Sequence, residues 1–169
     1  MANCEYLEIK KYLAEQIWPD SKVTDVQVTH IWTQKNEFSH KIAKACKIKN
    51  VVLKPSDMIG YIDGLLLARD DAENHINFAK PYLEAEIPVY IDKPVALSLE
   101  DLEEISNLEK FDGQIFSCSA LRYAKELVLS RTVRDKIGPI KHIEASTPKS
   151  WKKYSIHIIE PVLKIVNSP

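Results

Sequence analysis

Residues 63–94 of the chain read DGLLLARDDAENHINFAKPYLEAEIPVYIDKP. Two short apolar runs, at residues 63–68 and 88–91, lie on either side of a segment with helical spacing at residues 72–85. Apolar runs of this length are typical of strands that are buried on both faces of a parallel sheet. Because parallel neighbours require a crossover connection, this strand–helix–strand order predicts a parallel α/β sheet.

The alternation continues on both sides of this stretch. Hydrophobic periodicity predicts three further helices, one further helical turn and three further strands. The helices are expected at residues 3–17, 36–46 and 98–108, the helical turn at residues 55–62 and the strands at residues 23–32, 50–53 and 114–119. Asn36 and Ser98 are the expected N-caps of their helices. The complete order predicts a doubly wound parallel sheet with helices on both faces.

The pattern changes in the last third of the chain. Residues 121–136 have the spacing of a basic helix, residues 140–145 that of a strand, and residues 151–166 are mixed. We therefore expect residues 1–119 to form one α/β domain, and residues 120–169 to begin a second, α+β domain.

Composition excludes several classes of partner. The 169 residues include 23 basic and 24 acidic side chains, so the formal net charge is −1, whereas a nucleic-acid surface needs clustered positive charge. No apolar run approaches the roughly 20 residues that span a bilayer, and the N-terminal sequence lacks the order of a signal peptide. We therefore expect a cytoplasmic protein that binds neither nucleic acid nor membrane.

The cysteines and histidines give little support for a metal site. Three cysteines, at positions 4, 46 and 118, are far apart in sequence, and no two of the five histidines are spaced i, i+4. Zinc sites usually show closely spaced ligands of these types. We expect no metal, and we expect all three cysteines to be buried or half-buried thiols.

The residues with the clearest chemical potential follow the run at residues 88–91. Ligands of open α/β sheets bind beyond the carboxyl ends of the strands, and Asp92, Lys93 and Pro94 occupy that position. A lysine that is partly desolvated beside a bound cation has a lowered pKa and can exchange a proton near neutral pH. Lys93 is therefore a candidate acid/base group; a solvated loop lysine is the alternative that spacing leaves open.

These residues resemble the Gfo/Idh/MocA family of NAD(P)-dependent oxidoreductases. Residues 63–94, with the following VALSLEDLEEI at residues 95–105, are similar to the second half of that family's Rossmann domain. VTHIWTQKNEFSHKIAKACKI at residues 28–48 resembles the preceding β–α unit, and WKKYSIHIIEPVL at residues 151–163 resembles the segment that places a histidine beside the substrate. The resemblance implies an incomplete Rossmann-like domain at residues 1–119, and hydride transfer between NAD or NADP and a sugar- or polyol-like alcohol.

The resemblance also implies roles for individual residues. Lys93 would be the family's catalytic lysine, exchanging a proton with the substrate hydroxyl, and His157 a second acid/base or substrate-positioning group. Asp92, where the family usually has glutamate, would hold a ribose hydroxyl or orient the lysine. A core or surface histidine at 157 and a solvated arginine at 122 remain the alternatives. The positions implied to contact the cofactor are Ala68, Arg69, Asp70, His75, Asp92, Lys93, Pro94 and Arg122.

The chain departs from the family pattern in several places. It contains no G-x-G-x-x-G turn and no strand before the first helix, although in the family that turn brings the pyrophosphate to a helix N-terminus. Thr33 and Gln34 follow the second strand where an acidic residue usually holds the adenine ribose, and Lys153 replaces an aspartate found in many relatives. The resemblance also covers little of the family's large C-terminal domain.

These departures predict a truncated oxidoreductase that binds NAD or NADP weakly and has little turnover on its own, with a small sugar-like molecule as its substrate. The alternative is a non-catalytic α/β module that binds nucleotide or associates with itself. An incomplete sheet exposes strand edges and apolar surface, and both features favour self-association.

Overall fold

A computed structural model describes residues 7–17 and 23–166 of the chain. The chain forms two compact units, residues 1–62 and residues 63–169. The first carries a two-stranded parallel sheet, and the second carries a three-stranded parallel sheet. The predicted α/β class, with parallel strands and crossover helices, is confirmed.

The first unit contains two helices and two strands, namely α1 (Leu7–Ala14), β1 (His30–Ile31), α2 (Asn36–Cys46) and β2 (Asn50–Val51). β1 pairs in parallel with β2, and α2 is the crossover between them. Ser39 and Ala43, four positions apart on one face of α2, are its buried residues. Ser39 Oγ accepts a hydrogen bond from the Thr33 N–H at 2.8 Å, which fixes the start of the helix beside the end of β1.

Three expectations for the first unit are wrong. The strand expected at residues 23–32 is regular only at β1, since a strand needs a hydrogen-bonded neighbour and β2 supplies two residues. The strand expected at residues 50–53 is regular only at β2, and Leu53 is 76% exposed. Asn36 is the first helical residue, and Lys35 occupies the N-cap position without a side-chain hydrogen bond.

The first helix and the cysteines lie partly outside the described residues. The helix expected at residues 3–17 is α1, whose described part begins at Leu7. Cys118 is buried, as predicted, whereas Cys46 is exposed at the end of α2. Cys4 lies outside the described residues.

The second unit begins with the stretch at residues 63–94. Its three strands and two crossover helices alternate in the order β3 (Leu65–Leu67), α3 (His75–Glu84), β4 (Val89–Ile91), α4 (Leu99–Asn107) and β5 (Ile115–Phe116). The strands pair in parallel in the order β3–β4–β5, with Leu65 opposite Val89 and Val89 opposite Ile115. Ser98 caps α4 as predicted, since its Oγ accepts the Asp101 N–H at 3.1 Å.

The core of the second unit forms where α3 packs on β3, β4 and α4. Burying a side chain of leucine size contributes about 1.5–3 kcal/mol. Gln114 is buried here too, and its Nε2 donates to the Leu83 carbonyl at 2.9 Å while its Oε1 accepts the Lys110 N–H at 2.7 Å. Its amide is therefore satisfied in the interior. The most deeply buried apolar side chains are Ala79, Tyr82, Leu83, Val89, Ile91 and Ile105.

β3 is buried on one face only. Successive side chains of a strand point to opposite faces of its sheet. Leu67 is buried in the unit's core, whereas Leu66 is 68% exposed. The expectation that residues 63–68 are buried on both faces is therefore wrong.

The segment after β5 is less regular than its spacing predicts. The basic helix expected at residues 121–136 is replaced by two 3₁₀ turns, Ala120–Tyr123 and Lys125–Leu127, and by the short helix α5 (Arg131–Ile137). Ser130 caps α5 by accepting the Val133 N–H at 3.3 Å, so a new helix begins there.

The C-terminal part of the second unit is helical. The strand expected at residues 140–145 has no regular structure. Two helices follow it, α6 (Trp151–Tyr154) and α7 (Ile156–Ile165). The expected domain boundary between residues 119 and 120 stays a prediction. Among all helices of the described residues, none is long and apolar enough to cross a membrane.

Candidate functional site

β4 delivers Asp92, Lys93 and Pro94 to the carboxyl edge of the three-stranded sheet. The Asp92 N–H donates to the Leu67 carbonyl at 3.0 Å, which continues the pairing with β3 one residue beyond the strand. Lys93 Nζ lies 3.5 Å from Asp92 Oδ2, and the two side chains are 20% and 31% exposed, respectively. Both groups are therefore partly desolvated and still open to a ligand.

The segment of α6 and α7 brings an aromatic ring and an imidazole to this edge. Lys93 Nζ lies 5.5 Å from the ring centroid of Tyr154, and Lys149 Nζ lies 4.6 Å from the same centroid. The ring centroids of Tyr154 and His157 are 5.9 Å apart. Tyr154 thus contacts both Lys93 and His157, and the structure brings the two predicted catalytic residues to one site.

The side chain of His157 is held by Ser119, which lies three residues after the end of β5. Ser119 is 0% exposed, and its Oγ lies 2.6 Å from His157 Nδ1. The Ser119 N–H donates to Glu160 Oε2 at 2.7 Å, and Glu160 Oε1 lies 3.5 Å from Arg122 Nη1. These contacts anchor α7 to the end of β5, and they place the predicted cofactor residue Arg122 in an ion pair with Glu160.

The surroundings of the site shift the pKa values of two of its groups towards their uncharged forms. Burial lowers the pKa of His157 below its ordinary value, and the positive charge of Lys93 lowers it further. Asp92 and Glu160 act on the His157 pKa in the opposite direction. Burial also raises the pKa of Tyr90, the central residue of β4. The lowered pKa of His157 thus favours its uncharged imidazole.

The loop after β3 holds three of the predicted cofactor positions. Ala68 and Asp70 are exposed. Arg69 instead forms two hydrogen bonds with Asp71, one of them from Nε to Oδ1 at 2.7 Å. Its guanidinium carbon also lies 4.3 Å from the ring centroid of Phe78. The Arg69 side chain is therefore occupied within its own loop, while Ala68 and Asp70 face outward.

The pair of Arg69 and Asp71 predicts a loss of stability in acid. Hydrogen bonds from Arg69 and Asn74 hold the pKa of Asp71 at about 2, below its ordinary 3.8. The pair therefore stabilises the folded state at higher pH, and this contribution is lost as the pH falls from about 3.8 to about 2. We expect Asp71→Asn to lower the free energy of unfolding by about 1 kcal/mol at neutral pH, with no difference from the wild type near the folded-state pKa.

Urea unfolding of the two proteins at a series of pH values measures this effect. Asp112→Asn, at an exposed aspartate of the same unit, is the matched control and should change little at any pH. A deficit of Asp71→Asn that persists undiminished at the lowest pH would contradict the explanation.

His75 connects two loops of the site. It is completely buried at the start of α3. Its Nε2 lies 3.0 Å from the Arg69 carbonyl oxygen, and its Nδ1 lies 3.1 Å from the Val95 carbonyl oxygen. The ring therefore joins the loop after β3 to the loop after β4, two residues beyond Lys93. Its expected contact with a cofactor stays a prediction.

Several side chains of the site are not predicted by the sequence analysis. Ser119 ends the predicted strand 114–119, a position where ligands of α/β sheets bind, and Glu160 lies three residues after His157 on the same helical face. From these two positions in the sequence, Ser119 and Glu160 could have been predicted as site residues. Lys149 lies in a segment without regular structure and gives no such signal.

Lys153 also lies at the edge of the site. Its Nζ donates to the Asp70 carbonyl at 3.0 Å and lies 3.9 Å from Glu73 Oε2. Lys153, which stands where many relatives have an aspartate, thus joins α6 to the loop after β3.

The donor set suits one half of a dinucleotide. The Asp92 carboxylate can accept hydrogen bonds from ribose hydroxyls, and the small Ala68 is exposed. The sequence contains four glycines, at positions 60, 64, 113 and 138, and no G-x-G-x-x-G turn for a pyrophosphate. In the described part of the chain, no group of three or more His, Cys, Asp or Glu side chains could hold a metal ion.

Comparison with known proteins gives one family match and several structural matches. The family model GFO_IDH_MocA, described as an oxidoreductase family with an NAD-binding Rossmann fold, matches residues 9–119. A Klebsiella pneumoniae protein assigned as an oxidoreductase matches with a TM-score of 0.62 and 17% identity, over 87% of this chain and 46% of that one. Myo-inositol 2-dehydrogenase from Lactobacillus plantarum matches with a TM-score of 0.56 and 14% identity, over 69% of this chain and 34% of that one.

The structural matches show the fold alone, because the identities are low. The chain spans between 34% and 46% of the length of these two solved structures. The comparison with curated proteins finds no match.

Proposed function

Because the chain belongs to the GFO_IDH_MocA oxidoreductase family and carries its NAD-binding Rossmann domain, we propose that it holds the nicotinamide half of NAD or NADP beside Lys93 for hydride exchange with a sugar- or polyol-like alcohol. One observation carries the proposal. Lys93 and His157, which are far apart in sequence, meet on the ring of Tyr154 at the carboxyl edge of the sheet. This edge is where open α/β sheets bind their ligands.

The proposed chemistry divides between the cofactor and the chain. A bound nicotinamide would supply the hydride acceptor for oxidation of the substrate carbon and the hydride donor for the reverse reaction. Lys93 Nζ takes the proton of the substrate hydroxyl as that carbon is oxidised, and an ammonium at the same position returns a proton to the carbonyl oxygen in reduction. Asp92, 3.5 Å from this amine, orients it and accepts a hydrogen bond from a ribose hydroxyl.

The other site residues position the two reactants. The neutral imidazole of His157 binds an oxygen of the substrate, while the exposed Ala68 and Asp70 and the half-buried Pro94 line the nicotinamide side. The predicted cofactor residues whose side chains contact other residues of the chain support the loops of the site. Arg69 does so through Asp71, Arg122 through Glu160, and His75 through two carbonyls, as described above.

We infer that this stretch of chain binds the dinucleotide weakly. A glycine-rich turn normally brings the pyrophosphate to a helix N-terminus, where the backbone N–H groups receive it. The sequence lacks that turn. Most of the binding free energy must then come from the ribose and nicotinamide contacts at Asp92 and at the loop after β3.

An assay with excess protein tests the proposal. NAD and NADP are incubated with a panel of sugars and polyols, and the formation of reduced nicotinamide is followed by absorbance. We expect slow reduction with at least one alcohol, at a rate below the usual range of about 1–10³ s⁻¹. No reduction with any alcohol would contradict the dehydrogenase proposal, and turnover within the usual range would contradict the weak-binding part.

A second candidate is a self-associating α/β module without catalysis. Exposed apolar side chains on the second unit favour it, among them Leu66 on β3 and Leu99 on α4. Surface of this kind promotes association between copies of a chain. Sedimentation velocity should then show a concentration-dependent oligomer that Leu66→Ser weakens, and a monomer at all concentrations would contradict it.

A further inference from the structure

The hydroxyl of Ser119 has a fully defined environment. Ser119 is completely buried, and its Oγ accepts the Leu121 N–H at 3.1 Å. Its second contact is His157 Nδ1 at 2.6 Å. Within residues 7–17 and 23–166, no further hydrogen-bond partner of this oxygen is found. The hydroxyl therefore has one backbone donor and one imidazole nitrogen as its neighbours.

The direction of the hydrogen bond between Ser119 and His157 follows from counting donors and acceptors. A serine hydroxyl has one proton to donate and two lone pairs that accept. The Leu121 N–H occupies one lone pair. If Nδ1 also donated, both lone pairs would be filled and the buried hydroxyl proton would face no acceptor, which costs free energy. If the hydroxyl donates to Nδ1, every polar group is satisfied.

At neutral pH the lowered pKa favours the uncharged form of His157, which carries a single ring proton. Its pKa is lowered by burial first and by Lys93 second, with Lys149 adding to the lowering and with Asp92 and Glu160 opposing it. A neutral imidazole that accepts at Nδ1 must carry its proton at Nε2. Among the described residues, Nε2 of His157 has no hydrogen-bond partner.

We propose that Ser119 is a positioning residue that holds His157 in the tautomer protonated at Nε2, so that His157 offers a hydrogen-bond donor to the substrate oxygen. The tautomer stands on the geometry of the chain; the identification of its target rests on the proposed function. It follows that the two predicted catalytic residues have different tasks. Lys93 exchanges the proton, and His157 donates a hydrogen bond to the same reacting oxygen.

Glu160 also holds Ser119 in place. Its Oε2 accepts the Ser119 N–H at 2.7 Å, and it lies one helical turn after His157 on α7. The serine is therefore fixed through its backbone as well as through its hydroxyl. This leaves the hydroxyl proton free to rotate onto Nδ1.

Long-range proton–nitrogen correlation spectra of the nitrogen-15-labelled chain test the proposal. The spectra distinguish a protonated Nε2 from a protonated Nδ1, and His157→Gln identifies the signals of this ring. We expect the wild type, at neutral pH and without nucleotide, to show the Nε2-protonated form. Ser119→Ala should raise the share of the Nδ1-protonated form by at least about five-fold, because Nδ1 loses its donor. Ser119→Thr, which keeps a hydroxyl, should restore the wild-type pattern.

Ser106→Ala, at an exposed serine on α4, is the matched control and should leave the His157 signals unchanged. A predominantly Nδ1-protonated wild type would overturn the proposal, as would a folded Ser119→Ala with the wild-type pattern. If Ser119→Ala does not fold, the wild-type spectrum alone tests the proposal. Because no nucleotide is present, a chain that fails to bind NADH can still show the expected tautomer, so the two failures are distinguishable.

Discussion

Replacement of Lys93 by alanine is expected to lower the rate of nicotinamide reduction by about 100-fold or more. The amine is the group that takes the hydroxyl proton in the proposed reaction, and it lies 3.5 Å from Asp92 Oδ2. We expect the dissociation constant for NADH to change by less than about ten-fold, since Asp92 and the loop after β3 remain. The measurement is the rate of reduction with protein in excess, together with a separate binding titration.

Lys136→Ala is the matched control for this variant. Lys136 is an exposed lysine on α5, and its removal changes the net charge by the same amount. The control should retain the wild-type rate. A Lys93→Ala protein with an undiminished rate would mean that another group exchanges the proton, and the role assigned to Lys93 would be wrong.

Replacement of His75 by alanine is expected to reduce the free energy of unfolding by about 3 kcal/mol. The imidazole is completely buried, so its removal leaves a cavity at the start of α3. It also leaves the carbonyl oxygens of Arg69 and Val95 without the ring nitrogens that lie 3.0 and 3.1 Å from them. Urea unfolding followed by circular dichroism measures the loss.

The exposed His142 provides the comparison for this prediction. We expect His142→Ala to change the free energy of unfolding by less than about 0.5 kcal/mol. A similarly small effect of His75→Ala would show that the two loops do not depend on the buried ring.

The sequence predicts the fold best where local pattern and tertiary surroundings agree. In residues 63–94 both strands have neighbours in the same unit, so apolar runs become β3 and β4 with the register of a parallel sheet. Residues 23–32 show an equally good alternating pattern, yet only His30 and Ile31 pair with a neighbouring strand. Periodicity describes one segment, whereas a strand requires a second one.

The same difference between a local pattern and a tertiary contact explains which residues of the candidate site the sequence predicts. Asp92 and Lys93 could be placed at the sheet edge because they directly follow a predictable strand. The contact between Ser119 and His157 joins residues 38 positions apart, and it depends on how α7 packs against the 3₁₀ turn Ala120–Tyr123. The helix expected at residues 121–136 is interrupted at Ser130 by a local cap, so sequence spacing in this region could not position α7.

If this chain forms the nicotinamide-binding edge of a dehydrogenase, a fluorescence titration with NADH and NADPH should show it. We expect saturable, weak binding, with a dissociation constant between about 10 μM and 1 mM. Asp92→Ala should weaken the binding, while Asp112→Ala, at an exposed aspartate of the same unit, should not. The absence of saturable binding by either nucleotide up to about 10 mM would contradict the proposed function.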